Sequence, residues 1–97
     1  MSQIRWAANY FNQHGCIMKG HKSAYAVIGG MNPAPLMRFL NIVKVGRVIG
    51  PYTSNRGMNY YRCTDATEVA ILKEQLWEGL TPETQTKWAE VEAILGQ

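Results

Sequence analysis

The first 64 residues of this 97-residue chain contain no aspartate and no glutamate. A segment without carboxylates cannot supply a carboxylate general base, nor the oxygen cage of a hard divalent cation. Long apolar runs are missing as well, and nothing approaches the roughly 18 residues of a membrane helix. The first fifteen residues carry Arg5, Asn9, Asn12 and His14, which excludes the apolar core of a secretory signal. Cysteine is scarce. Cys16 and Cys63 stand far apart with no CxxC pairing. One disulfide between them is geometrically open, but a small secreted scaffold carries more, so both read as small apolar side chains in a cytosolic protein. A chain of this length builds one core that buries roughly 60–65% of its unfolded surface, and residues 1–97 read as a single domain.

What the chain does have is positive charge, unevenly placed. Residues 1–64 hold Arg5, Lys19, Lys22, Arg38, Lys44, Arg47, Arg56 and Arg62, a net charge of +8. Residues 65–97 hold all seven acids against Lys73 and Lys87, a net charge of −5. The overall +3 therefore hides an electropositive segment suited to a phosphate backbone or an acidic protein surface.

Apolar spacing sets the elements. Ile4, Ala7, Ala8 and Phe11 predict a helix over 3–14 that ends at Gly15. Strands are expected over 16–19 and 23–28 around the Gly20-His21 turn, with Gly29-Gly30 breaking the second. Asn32 and Pro33 predict a helix start, with Leu36, Phe39, Leu40 and Val43 on one stripe. Strands follow over 47–53 and 58–64 around a turn at Ser54-Asn55-Arg56-Gly57. Asp65 and Glu68 predict a capped third helix to about Glu78 that buries Val69, Leu72 and Leu76. Thr81-Pro82 starts a fourth, with Trp88, Val91 and Leu95 inward. Two hairpins with helices on one face make an α+β domain with a four-stranded antiparallel sheet.

Strand parity then groups the cations. Tyr60 and Arg62 share one face, opposite Tyr61 and Cys63. Arg47 faces away from Val48, Arg56 sits at a hairpin tip, and Lys19 and Lys22 flank the other turn. With helices covering one face, Lys19, Lys22, Arg47, Arg56, Tyr60 and Arg62 are expected on the other. A twisted antiparallel ribbon fits the DNA major groove, where Arg reads guanine and Lys or Arg holds phosphate. The plainer reading is a solvated face whose cations keep the protein soluble. The three tryptophans, Trp6, Trp77 and Trp88, read as packing residues.

The segment Trp6-Ala7-Ala8-Asn9-Tyr10-Phe11-Asn12-Gln13-His14-Gly15-Cys16-Ile17 resembles the motif helix of the LAGLIDADG homing endonucleases, small phage and bacterial members in particular. Asn32-Pro33-Ala34-Pro35-Leu36 with Val43-Lys44-Val45-Gly46-Arg47-Val48 is similar to that family's second helix and third-strand entry. Leu76-Trp77 with Leu80-Thr81-Pro82 is similar to its C-terminal helical pair. The resemblance spans nearly the whole chain and implies an αββαββα(α) fold. It also implies pairing through the motif helices, which places Ala7, Ala8, Phe11 and Gly15 at a homodimer interface, although Asn9 and Tyr10 stand where the family has Gly and Leu.

The family's two motif acids fall on Asn12 and His14. The second of them holds the divalent metal at the scissile phosphate, and neutral imidazole is a poor Mg²⁺ ligand. The resemblance then implies a protein that binds duplex DNA without cutting it: no enzyme, no cofactor, no metal, a regulator in a bacterial or phage-infected cytoplasm. Two alternatives stay open. The basic face can dock an acidic host protein, or it can bind RNA as maturase relatives of the family do. A zinc site from His14, Cys16, His21 and Cys63 matches no finger or ribbon spacing.

Overall fold

A computed structural model describes residues 2–21, 23–52 and 56–95. In chain order the elements are α1 (Gln3–His14), β1 (Gly15–Lys19), β2 (Ala24–Gly30), α2 (Pro33–Val43), β3 (Arg47–Tyr52), β4 (Met58–Cys63), α3 (Ala66–Leu76), a 3-10 turn (Trp77–Gly79) and α4 (Pro82–Leu95). This is the α+β order expected from the sequence. The strands form one antiparallel sheet ordered β1-β2-β4-β3, which puts β2 and β4 in the middle.

Helix starts are set by side chains that satisfy otherwise orphaned backbone donors. Ser2 accepts from the Arg5 N–H, Asn32 Oδ1 from Ala34 at 3.0 Å, and Asp65 Oδ2 from Glu68 at 3.1 Å. Thr81 Oγ1 accepts from Thr84 at 3.3 Å. Pro33 opens α2, where its missing N–H leaves no bond unmade.

The core lies between the helices and one face of the sheet. Ile17, Ala26, Ile28, Tyr61 and Cys63 point into it from the strands, and Ala7, Ala8, Phe11, Leu36, Phe39, Leu72, Leu76 and Trp88 from the helices. Its centre is aromatic. Phe39 meets Tyr61 edge-on at 4.8 Å, and Phe11 lies 5.7 Å from Trp88. The Tyr61 hydroxyl donates to the Val45 carbonyl at 2.7 Å, so a buried polar group is paired.

The sequence reading needs correction at two places. Gly29-Gly30 does not break β2: both glycines stay in the strand, paired with Tyr60 and Asn59. The missing side chain at Gly29 leaves room beside Tyr60 and Met58, whose atoms would lie 3.1 Å from a Cβ there. The two cysteines also differ in kind. Cys63 is buried on the helix side, whereas Cys16 is exposed on the opposite side, so they cannot pair. Thr53, Ser54 and Asn55, expected at a strand end and turn, lie outside the described residues, as does Lys22.

Burial pushes the Cys63 thiol up to about 11 and also raises the Tyr61 hydroxyl above its ordinary range. Each group keeps its proton in the folded chain at a pH where the unfolded chain loses it. Stability is therefore intact below the unfolded value of 9.0 for the thiol and falls as pH rises toward 11. The urea midpoint should hold steady to about pH 9, then decline, and Cys63→Ala should make that decline shallower. A midpoint unchanged across this range would contradict the burial of the pair.

Candidate nucleic-acid interface

Strand alternation leaves one face of the sheet without helices. Its side chains are Cys16 and Met18 from β1, Tyr25, Val27 and Gly29 from β2, Met58, Tyr60 and Arg62 from β4, and Arg47 and Ile49 from β3. None of these is buried, while their strand neighbours Ile17, Ala24, Ala26, Ile28, Asn59, Tyr61 and Cys63 are. The register fixes the rows across the face. Cys16, Val27, Arg62 and Arg47 follow one another from β1 to β3, and Gly29, Tyr60 and Ile49 form the next row.

Arg47 and Arg62 are therefore direct cross-strand partners. Like charges in that relation destabilise a sheet. Arg62 relieves part of the strain by lying over the Tyr25 ring, 5.7 Å from its centroid. Its Nε is buried and has no hydrogen-bond partner among the described residues. Every acid of the chain lies at or beyond Asp65: Asp65 precedes α3, Glu78 is in the 3-10 turn, and α3 and α4 carry the other five. The face thus presents two guanidinium groups with no carboxylate beside them, a field that attracts polyanions.

The other cations expected here fall in different places. Arg56 is exposed at the β3–β4 tip, with a φ of 56° next to Gly57 at 78°. Lys19 is exposed, but it shares the parity of Ile17 and pairs with buried Ala24. It leaves the sheet at its rim and does not sit on the bare face. Arg38 is on α2, 3.9 Å over the Trp6 ring, which stacks on Tyr10 at 5.1 Å.

Sequence reasoning missed the apolar half of the face. Met18, Tyr25, Val27, Tyr60 and Arg62 line a depression of about 280 Å³. The alternation of Ala24, Ala26 and Ile28 with Tyr25 and Val27 was the signal that could have found it.

The end of α1 also differs from expectation. Ala7, Ala8 and Phe11, expected at a dimer interface, are at most 1% exposed because they pack into the chain's own core. Gly15 is half-buried, with the Phe11 ring occupying the space a Cβ would need. The outward side of α1 is instead Arg5, Asn9 and Gln13. Asn12 joins α1 to the start of α4: its Nδ2 donates to the Gly79 carbonyl at 3.1 Å, and its Oδ1 accepts from Thr81 N–H at 3.0 Å. Gly79 must be glycine for this approach, since a Cβ there would lie 2.6 Å from Ala8 Cβ. His14 is exposed, its ring 4.8 Å from Tyr10. Among the described residues no group of three or more His, Cys, Asp or Glu comes together to hold a metal, and no helix is long and apolar enough to cross a membrane. Asn12 and His14 do not form the hard oxygen set that Mg²⁺ takes from protein side chains.

No protein-family model and no curated protein matches the chain. Solved structures do. The homing endonuclease I-CvuI, in complex with a DNA target in the presence of magnesium, superposes with a TM-score of 0.74 at 17% identity, over 97% of this chain and 66% of that one. The LAGLIDADG meganuclease I-AabMI bound to uncleaved DNA gives 0.77 at 16% identity, over 99% of this chain and 36% of that one. I-CpaMI, likewise bound to uncleaved DNA, gives 0.72 at 13%, again over 99% and 36%. The chain thus has a LAGLIDADG-like fold and spans from about a third to two thirds of these relatives.

The expectation that the chain is not an enzyme is overturned by this comparison, because the structures that share its fold are homing endonucleases. The identity of two side chains was too narrow a ground. Asn12 is occupied in joining two helices, and Mg²⁺ at such sites takes several ligands from water and substrate phosphate.

The Asn12 bridge generates a stability prediction. Asn12→Ala removes both hydrogen bonds and should cost about 1–3 kcal/mol in urea unfolding. Asn12→Asp keeps the acceptor for Thr81 but loses the donor to Gly79, and should fall between wild type and Asn12→Ala at neutral pH. Equal stability of all three proteins would show that the bridge contributes nothing.

Proposed function

We propose that this chain binds duplex DNA through the bare face of its sheet, and that it does so as a homodimer. The observation that carries the reading is the direct cross-strand pairing of Arg47 with Arg62 on a face without carboxylates. Such a pair destabilises the free protein and is relieved by an anion placed over it. The dimensions agree: the molecule measures 37 × 35 × 22 Å, and one duplex turn is about 34–36 Å long. One copy therefore suits one half-site.

One observation supports the dimer. The chain covers 36% of the I-AabMI and I-CpaMI chains, which leaves room there for a second unit of its size. The outward side of α1 (Arg5, Asn9 and Gln13) is polar and uncovered, so a helix pair through it would be hydrogen-bonded more than apolar.

Titration of duplex DNA at two salt concentrations tests the reading, with sizing of the protein alone and on DNA. If a dimer neutralises about six phosphates, affinity should fall roughly 10³-fold between 50 and 200 mM salt. Arg47→Ala should lower the salt slope by about one per bound copy. Flat salt dependence, or preference for structured RNA over duplex, would overturn the proposal.

A further inference from the structure

The depression beside Arg62 has a shape and chemistry more specific than a phosphate contact requires. Arg62 rises from β4, a central strand, and its guanidinium is anchored over the Tyr25 ring. With Nε enclosed, the terminal Nη groups are the donors left to a ligand. Met18 and Val27 supply apolar walls next to them, and Met18 is 44% exposed without any helix to cover it. A phosphate has no use for apolar walls. A base pair edge does: guanine offers N7 and O6 to a bidentate arginine, and thymine offers its C5-methyl to an apolar side chain.

We propose that the Met18, Tyr25, Val27 and Arg62 depression reads a guanine with a thymine next to it, Arg62 taking the guanine edge and Met18 and Val27 the thymine methyl. This rests on the DNA-binding reading above and assigns one subsite within it. Arg47, exposed in the neighbouring strand β3 and with no aromatic ring beneath it among the described residues, keeps the conformational freedom suited to phosphate. The two opposed arginines thus divide the work, one specifying and one attracting. Tyr25 acts by positioning: it holds the Arg62 plane so that less freedom is lost on binding.

Selection from a randomised duplex library tests this, with the enriched duplex then remade with single changes. For wild type the enriched sequence should contain an adjacent guanine and thymine. Replacing that guanine by adenine should weaken binding roughly 5- to 150-fold. 7-Deazaguanine, which lacks N7, and uracil, which lacks the methyl, should each cost part of this. Arg62→Gln should lose the guanine preference while retaining the rest of the enriched sequence. Met18→Ala, an exposed change that leaves the core untouched, should lose the thymine-over-uracil preference and keep the guanine.

An enriched sequence whose guanine preference survives Arg62→Gln in a folded protein would overturn the subsite and leave DNA binding standing. So would indifference of wild type to both 7-deazaguanine and uracil. Absence of any enrichment, with flat salt dependence, would instead overturn the DNA-binding reading beneath it.

Discussion

Tyr61 fixes the rest of the outward surface. Its ring meets Phe39 edge-on and its hydroxyl reaches the Val45 carbonyl, so β4 has one residue that can sit nowhere but inside. Strand side chains alternate, and Tyr60 and Arg62 are therefore forced out. A slip of one residue would bury a guanidinium and expose the tyrosine, a change that costs far more than any loss of ladder bonds. Because β4 is flanked by β2 and β3, its register also decides which residues of those strands share a row with it. The Arg47–Arg62 pair is in this sense a consequence of Tyr61.

That pair is tolerable only because the surrounding chemistry is arranged for it. No carboxylate occurs before Asp65, so the arginines are not neutralised locally. One lies over an aromatic ring, whose negative face attracts the cation and offsets part of the repulsion. The acids are placed in the helices behind, where Asp65 caps α3 and Glu92 pairs with Lys73 at 2.6 Å. The charge division noticed in the sequence thus becomes a division between two sides of one thin molecule.

Much of this was legible because it depends on short-range rules. Caps at Asn32 and Asp65, the helical spacing of Leu36, Phe39 and Val43, and the parity of Tyr60, Tyr61 and Arg62 all act within a few residues. The misreadings depend on partners distant in sequence. Gly29 and Gly30 remain in a strand because β4 pairs with them about thirty residues later. Lys19 lies at the rim because its parity is set by Ile17 against the helices. Ala7, Ala8 and Phe11 share a stripe that suits a second helix or the chain's own core equally well, and only tertiary packing decides for the core. Asn12 offered no sequence signal of its bridge to Gly79 and Thr81, sixty-seven and sixty-nine residues away. The enzyme expectation failed for a related reason: it inferred chemistry from residue types without knowing what those side chains were doing.

The bare face also poses a problem of solubility, which its composition resolves. Met18, Tyr25, Val27, Ile49 and Tyr60 form a partly apolar surface of the kind that drives sheets to stack. Face-to-face stacking of two copies would bring four arginines together in a dehydrated layer with no counter-charge, at a cost of several kcal/mol per unpaired ion. The same arrangement over a polyanion is favourable, because each guanidinium meets an acceptor. Arg47 and Arg62 therefore disfavour self-association of the face and, under the proposed function, favour a ligand that is both negatively charged and edged with apolar groups. A face with the apolar residues alone would aggregate, and one with the arginines alone would bind phosphate without discrimination. The combination is what the proposed base reading requires of this sheet.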